Sequence, residues 1–282
     1  MTRHIVCLSF DHDNTSLFLA TDRTTPTMMS RGEFGTIALP RVLALLARYG
    51  VPATFFTPGH TLESYPDDAD LLLKSGHEIA HHGWTHRVPA ALGRDGEEEE
   101  LVRGIETIRA LTGAPPVGYR SPSWDLSEYS IDLLVQHGFR YDSSMMGHDY
   151  DCYFARQPAL AAIDQPLVKG KVTTLVEMPI SWSLDDFPHF EFIPGRAGMI
   201  QGLSASSAVL ENFLGDFLWM KENLPRGILT YTFHPFVIGR GHRMRMLEEL
   251  IFRLAEEGAE FLAMRDAMTV WLDWQGGAAA AR

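Results

Sequence analysis

Two carboxylates and two imidazoles stand at spacings that could hold one divalent cation and move a proton beside it. Asp11 and Asp13 flank His12 in Ser9-Phe10-Asp11-His12-Asp13, directly after an apolar run. Residues two apart in an extended chain point the same way, so both carboxylates can face one cavity. In isolation the pattern also suits a solvated turn. His82 and His86 lie four apart in Gly76-His77-Glu78-Ile79-Ala80-His81-His82-Gly83-Trp84-Thr85-His86. On a helical turn that spacing puts two imidazoles on one side, able to grip a single ion. A neutral histidine pair with one carboxylate is a common set for catalytic zinc and leaves positions open for water and substrate. The same donors suit cobalt, manganese or nickel. His77 and His81 read as structural groups.

Arg120, within Gly118-Tyr119-Arg120-Ser121-Pro122-Ser123-Trp124, follows another apolar run. A guanidinium there can pair bidentately with a carboxylate and keep it ionised, although an arginine taken alone is more often a surface partner. His234 ends Leu229-Thr230-Tyr231-Thr232-Phe233-His234-Pro235 and could protonate a leaving group near neutral pH. A lone histidine in that place is more often structural. Trp124, Trp182, Phe187 and Tyr150 could wall a small pocket.

These groups need a scaffold that gathers them. Strands are expected at 5–10, 53–56, 78–80, 117–120, 175–178, 228–233 and 260–262. Helices are expected at 39–49, 66–75, 96–111, 127–137, 206–223 and 242–257, the third opening on the acidic run 97–100 as the helix dipole favours. Strands alternating with helices indicate βαβ units and a parallel sheet. Roughly seven such units suit a closed α/β barrel, in which the strand ends share one face where active sites are built. The stretches 14–39 and 145–174 read as long loops of the kind that form lids. One domain over 1–275 with a disordered, Gly/Ala-rich tail at 276–282 is the simplest organisation.

Composition narrows the partners. A formal net charge of -12 repels phosphate backbones and anionic lipid, which disfavours nucleic acid and membrane surfaces. Cys7 and Cys152 form no C-x-x-C pair, so neither a disulfide framework nor a thiolate zinc site is indicated. The opening residues lack the pattern of a secretory leader and no apolar stretch reaches spanning length, so a cytoplasmic protein is expected.

Taken in order, the four stretches resemble the motifs of the polysaccharide deacetylase family (the NodB-homology, carbohydrate esterase 4 group). Ser-Phe-Asp11-His-Asp13 looks like its first motif, His82-Gly-Trp-Thr-His86 its second, Arg120-Ser-Pro122 its third and Phe-His234-Pro its last. The resemblance runs over nearly the whole chain and implies a distorted (β/α)7 barrel. It implies a divalent metal on Asp13, His82 and His86, with Asp11 as general base, Arg120 orienting it and His234 as general acid. The implied reaction is hydrolysis of an N-acetyl or similar non-peptide amide, on an amino sugar or small molecule. Tyr119 (through its backbone N–H), Trp124, Trp182 and Asp185, a loose match to a fourth motif, are the expected substrate contacts.

The chain departs from secreted members at His12, which separates the two acids, and at Ser121, where those enzymes often have proline. With 30–35, 57–60 and 181–188, these features make it more similar to a cytoplasmic branch. That branch holds a peptidoglycan-deacetylase-like protein and the allantoinase and cyclic-imide hydrolases, and its members tend to be tetramers with enclosed sites. A small cyclic amide is thus the second expected substrate class, and a homotetramer the expected assembly. A non-catalytic ligand-binding barrel would have no use for Asp11 and His234.

Overall fold

The computed structural model of the chain describes residues 2–159, 162–191, 193–195, 198–200 and 202–279. Its strands are β1 (Arg3–Asp11), β2 (Ala53–Thr57), β3 (Glu78–His81), β4 (Gly118–Tyr119), β5 (Tyr141–Asp142), β6 (Tyr153–Arg156), β7 (Val172–Glu177), β8 (Ile193–Gly195), β9 (Gly198–Ile200), β10 (Arg226–Phe233) and β11 (Glu260–Phe261). Seven run parallel in the order β10-β1-β2-β3-β4-β5-β7. β6 adds an antiparallel edge to β7, β11 pairs with part of β1, and β8 and β9 form a separate hairpin.

Among the described residues no ladder joins β10 to β7. That seam is bridged by an isolated Asp185–Thr232 pairing and by a 2.9 Å hydrogen bond from Ile228 N to Tyr150 O. The α/β fold is therefore a curled sheet of seven parallel strands ringed by helices, a distorted (β/α)7 barrel.

The helices are α1 (Ser16–Ala20), α2 (Pro26–Glu33), α3 (Gly35–Tyr49), α4 (Gly59–Ser64), α5 (Pro66–Ser75), α6 (Arg94–Thr112), α7 (Ser130–Gln136), α8 (Asp186–Phe190), α9 (Ser206–Asn223), α10 (Pro235–Ile238), α11 (Gly241–Glu256) and α12 (Met264–Ala279). Local chemistry sets their ends. In α5, Pro66 fills the first turn, where its missing N–H is not needed. Asp67 and Asp68 complement the helix dipole there, and Gly76 closes the far end in the left-handed conformation (φ 74°).

Alternation along β1 explains how the barrel holds both a core and a site. Val6, Leu8 and Phe10 pack outward against α3, α9 and α11. Ile5 and Cys7 point the other way, into a cluster with Phe56, Tyr141, Val176, Ile228 and the Met264, Met268 and Trp271 side chains of α12. Ser9 and Asp11 continue that inner row, so the interior is apolar at one end and polar at the end where the strands terminate.

The expected long loops are corrected in part. Residues 14–39 hold α1, α2 and the start of α3, with Phe18 and Leu39 buried in the outer core. Helices of 5 and 8 residues are too short for an apolar period to register. Residues 145–174 contain β6 and the start of β7, while 160–161 fall outside the described residues. α12 runs through the first residues of the stretch expected as a tail, and 280–282 lie outside the described residues.

Candidate metal centre and active site

Asp11, Asp13, His82, His86 and His234 converge on one cavity of about 570 Å³ at the strand ends. Asp11 and Asp13 face it together, as the two-residue period predicts, while His12 turns away toward Asp68 at 3.8 Å. Asp13 is held through its backbone. Its carbonyl accepts from Ser16 N at 3.0 Å and from Thr61 Oγ1 at 2.7 Å. Asn14 then takes a left-handed φ of 47° and packs so closely on α2 and α3 that a Cβ at Gly32 or Gly35 would meet Asn14 atoms at 2.5 and 1.8 Å. The two glycines of 30–35 thus allow helices to brace the loop that carries Asp13.

The His82–His86 stretch is not the helical turn expected from its spacing. Gly83 and His86 both have positive φ, 72° and 62°, and the segment is an irregular loop. Glu100 of α6 staples it, accepting from Trp84 N (3.0 Å), Thr85 N (2.7 Å) and Thr85 Oγ1 (2.7 Å). The two rings end up 4.9 Å apart and nearly perpendicular. His82 Nδ1 donates to the Arg120 carbonyl at 2.7 Å, which leaves Nε2 with its lone pair facing Asp13. His81, by contrast, accepts from Gly83 N through Nδ1 and reaches the Leu101 carbonyl through Nε2, a structural role as expected.

The donor set fits a divalent cation. Asp13 is buried with neither carboxylate oxygen hydrogen-bonded among the described residues, an arrangement that is costly unless a positive charge meets it. Its oxygens lie 3.4 Å from His82 Nε2 and 3.4 Å from His86 Nε2, and the three ligand atoms fall within 4.8 Å of one another. Burial depresses both imidazoles, His86 to about 4, so both are neutral and able to ligate. Asp185, Asp186 and His234 also lie close together. There a direct His234 Nδ1–Asp186 hydrogen bond of 2.8 Å occupies the lone pairs a cation would need.

Arg120 is fully buried and uses its whole fork. Nη1 donates to Asp11 Oδ1 (2.7 Å) and Ser9 Oγ (2.9 Å), Nε to the Ser143 carbonyl (3.1 Å) and Nη2 to Ser143 Oγ (3.0 Å). Burial would raise the Asp11 pKa, but Arg120, with His82 and His234, outweighs it and holds the carboxyl below its usual range. At His234 the balance runs the other way. Burial opposes the charge, yet Asp185 and the Asp186 hydrogen bond push the imidazole up to about 10. Asp186 also accepts from His234 N, fixing ring and backbone together, while Asp185 caps α8 through Phe187 N at 2.8 Å.

Of the expected substrate contacts, Trp124, Trp182 and Asp185 line the cavity, with Phe187. The two indoles stack at 4.4 Å, and Ser123 and Trp124 are both held at positive φ, strain of the kind found at functional sites. Tyr119 is not among the residues lining the cavity, and its ring packs on His81 and Phe139 because β4 directs it outward into that cluster. The expected contact is through its backbone N–H, which the ring position does not bear on. Tyr150 likewise is no wall residue: it stacks on Trp219 and hydrogen-bonds Asp216. Sequence reading missed Ser9, Ser143, Glu100 and Asp186, whose types are common and whose partners are 15 to 111 positions away. Only the repeated Asp in Asp185-Asp186 hinted at the last.

Behind Arg120, Asp142 and Glu177 lie side by side in the β5–β7 register, both buried. Asp142 Oδ1 accepts from Ser144 Oγ, and Glu177 Oε1 from Ser144 N and Met145 N, but Asp142 Oδ2 and Glu177 Oε2 find no donor outside the pair. A proton shared by the two carboxyls would supply the missing donor. Burial raises both, Asp142 to about 6 and Glu177 well above its usual value. Since the folded values exceed the unfolded ones, the pair's contribution is complete below about pH 4 and fades as pH rises through about 6 and beyond. Glu177→Gln keeps the acceptor and supplies a permanent N–H toward Asp142. Between about pH 5 and about pH 8 the variant should gain about 1–3 kcal/mol on wild type, read from thermal unfolding at each pH. Parallel pH profiles for the two proteins would rule out the shared proton.

Known proteins share this arrangement of chain and fold. The family model described as polysaccharide deacetylase matches residues 5–141. A peptidoglycan deacetylase of Helicobacter pylori is 33% identical over 254 residues, covering 86% of each chain. A Mycobacterium smegmatis protein, crystallised as a candidate polysaccharide deacetylase, superposes with a TM-score of 0.82 at 32% identity, over 97% of this chain and 92% of that one. The allantoinase Puue has the same fold, with a TM-score of 0.77 at 19% identity over 96% and 90% of the two chains.

Proposed function

The chain belongs to the polysaccharide deacetylase family, metal-dependent hydrolases of N-acetyl amide bonds, and from that premise we propose that it cleaves a non-peptide amide where Asp13, His82 and His86 converge. The observation that carries this is a buried carboxylate with no hydrogen-bond donor beside two neutral imidazoles. An ionised acid and a protonated histidine flank it.

A divalent cation held there, zinc in this reading, supplies Lewis acidity to water and to the amide carbonyl. Asp11 accepts the proton of the attacking water through Oδ2, whose protein contacts are weak: Trp124 Nε1 at 3.5 Å and His82 Nε2 at 3.9 Å. Arg120 keeps Asp11 charged and fixed. His234, its Nδ1 tied to Asp186, turns Nε2 toward the Asp13 side of the cavity, 3.9 Å from Oδ2, and delivers a proton to the departing nitrogen. The stacked Trp124 and Trp182 shield the reacting groups from water.

His234→Gln is expected to lower kcat by about 10²–10⁴-fold with bound metal retained. Metal loss in that variant would reassign His234 to the metal.

An N-acetylated sugar is the leading substrate. A small cyclic amide is the second reading, favoured by a cavity of about 570 Å³ that Leu17 and Phe18 of α1 line together with the tryptophans, a size suited to a compact ligand. A panel of N-acetylglucosamine oligomers, hydantoin, succinimide and allantoin, run before and after chelation, tests the function. Hydrolysis that is lost on chelation and restored by added metal is expected. Inactivity on every amide, or activity indifferent to chelator, sinks it. A homotetramer and a cytoplasmic location complete the proposal, supported by the resemblance to that branch, and light scattering of the purified protein checks the assembly. Among the described residues no helix is long and apolar enough to cross a membrane.

A further inference from the structure

Resting on the amide-hydrolase reading of this cavity, we propose that its substrate carries a carboxylate and that Arg23 receives it at the mouth. The walls there are apolar, formed by Leu17, Phe18, Trp124, Trp182, Phe187 and Pro188, and two arginines interrupt them, Arg23 and Arg31. Arg31 pairs with Glu191, but Glu191 also takes Arg243 at 3.3 Å, so one carboxylate serves two guanidiniums. Arg240 and Arg41 crowd the same region over the Phe34 ring, at 3.5 and 5.6 Å. Burial, and then Arg243, Arg41 and Arg31, depress the Arg240 pKa against the pull of Glu191. Arg31, Arg41, Arg240 and Arg243 thus gather around Glu191 in a chain of net charge -12, and of these Arg31 lies on the cavity wall.

Arg23 is the member left for a ligand. It is half-buried, and its guanidinium has no hydrogen bond or ion pair among the described residues, the adjacent Asp22 included. Its position is nonetheless set, because its N–H donates to the Phe18 carbonyl at 2.8 Å and Asp22 turns through a φ of 55° to close α1. A guanidinium partly withdrawn from water presents a planar fork that matches a carboxylate. The amide would lie over the Asp13 side and the acidic arm toward Arg23.

Two matched pairs test this, each differing by one carboxylate-bearing arm: N-acetylglucosamine against N-acetylmuramic acid, and hydantoin against hydantoin-5-acetic acid. Binding to the purified metal-loaded protein is measured by calorimetry at neutral pH, with hydrolysis followed in parallel, for wild type, Arg23→Gln and Arg23→Lys. In at least one pair the acid should bind about tenfold tighter than its neutral partner to wild type. The ratio should fall to near parity in Arg23→Gln and stay intermediate in Arg23→Lys. Parity in wild type for both pairs, or a preference that survives in Arg23→Gln, overturns the proposal. An Arg23-dependent preference without any hydrolysis would sink the amide-hydrolase reading and leave the anion subsite standing. Hydrolysis of the neutral compounds with no such preference would do the reverse.

Discussion

Alanine at His82 is expected to strip the protein of divalent metal and abolish amide hydrolysis together. The imidazole is pinned by the Arg120 carbonyl so that Nε2 faces Asp13, and burial keeps it neutral. Its loss leaves one histidine and one carboxylate, too few donors to hold a catalytic ion against water. Turnover should drop by at least about a thousandfold, since weaker perturbations one layer out already cost about 10–100-fold in metal affinity or activity. Metal content by plasma emission and turnover must be read on the same dialysed preparation. Thermal unfolding should show a folded protein, because the lost contacts are local. Full activity in a metal-free variant would remove the metal from the chemistry.

Arg120→Met should have the largest effect on stability, about 3–5 kcal/mol, because it strands a buried charge rather than merely deleting a contact. Asp11 would keep its carboxylate in a site with almost no solvent, and the Ser9 and Ser143 oxygens would lose their donor. The double variant with Asp11→Asn should recover part of the loss, because neither charge is then left alone. A coupling of about 1–3 kcal/mol is expected from the cycle. Metal content should fall less than turnover in Arg120→Met, since the His82 partner is the Arg120 backbone and not its side chain. Additive losses in the cycle would show that the two side chains do not depend on each other.

Much of the fold was legible because its signals are local. The exact termini of α5 and α9 were legible, those of α5 from Pro66 and Gly76. Six of the seven strands in the parallel order followed from alternation of element types. β5, two residues long, could not register in any window, and α1 and α2 were read as loop for the same reason.

In the site, a period of two sufficed to put Asp11 and Asp13 on one side and His12 on the other, and the residues of four motifs were enough to name the converging groups. The local geometry of His82 and His86 was not available from their spacing, because a left-handed Gly83 and a staple from Glu100 set it. The choice between Asp185 and Asp186 as the partner of His234 was likewise decided by α8, whose first turn engages one carboxylate as its cap and frees the other.

Sequence by itself thus named the side chains that converge on the cavity and the kind of scaffold that holds them, since strand alternation and helix periods act over a few residues. Tertiary structure alone decided which buried polar atoms find partners and which do not. Among the described residues, Asp13 without a donor, Arg120 saturated and Arg23 unpaired are outcomes of sheet order and curvature, which bring together groups as far apart in sequence as Asp13 and His234. Hydrogen bonding is short-ranged in space and indifferent to distance along the chain, so no local pattern could have encoded it.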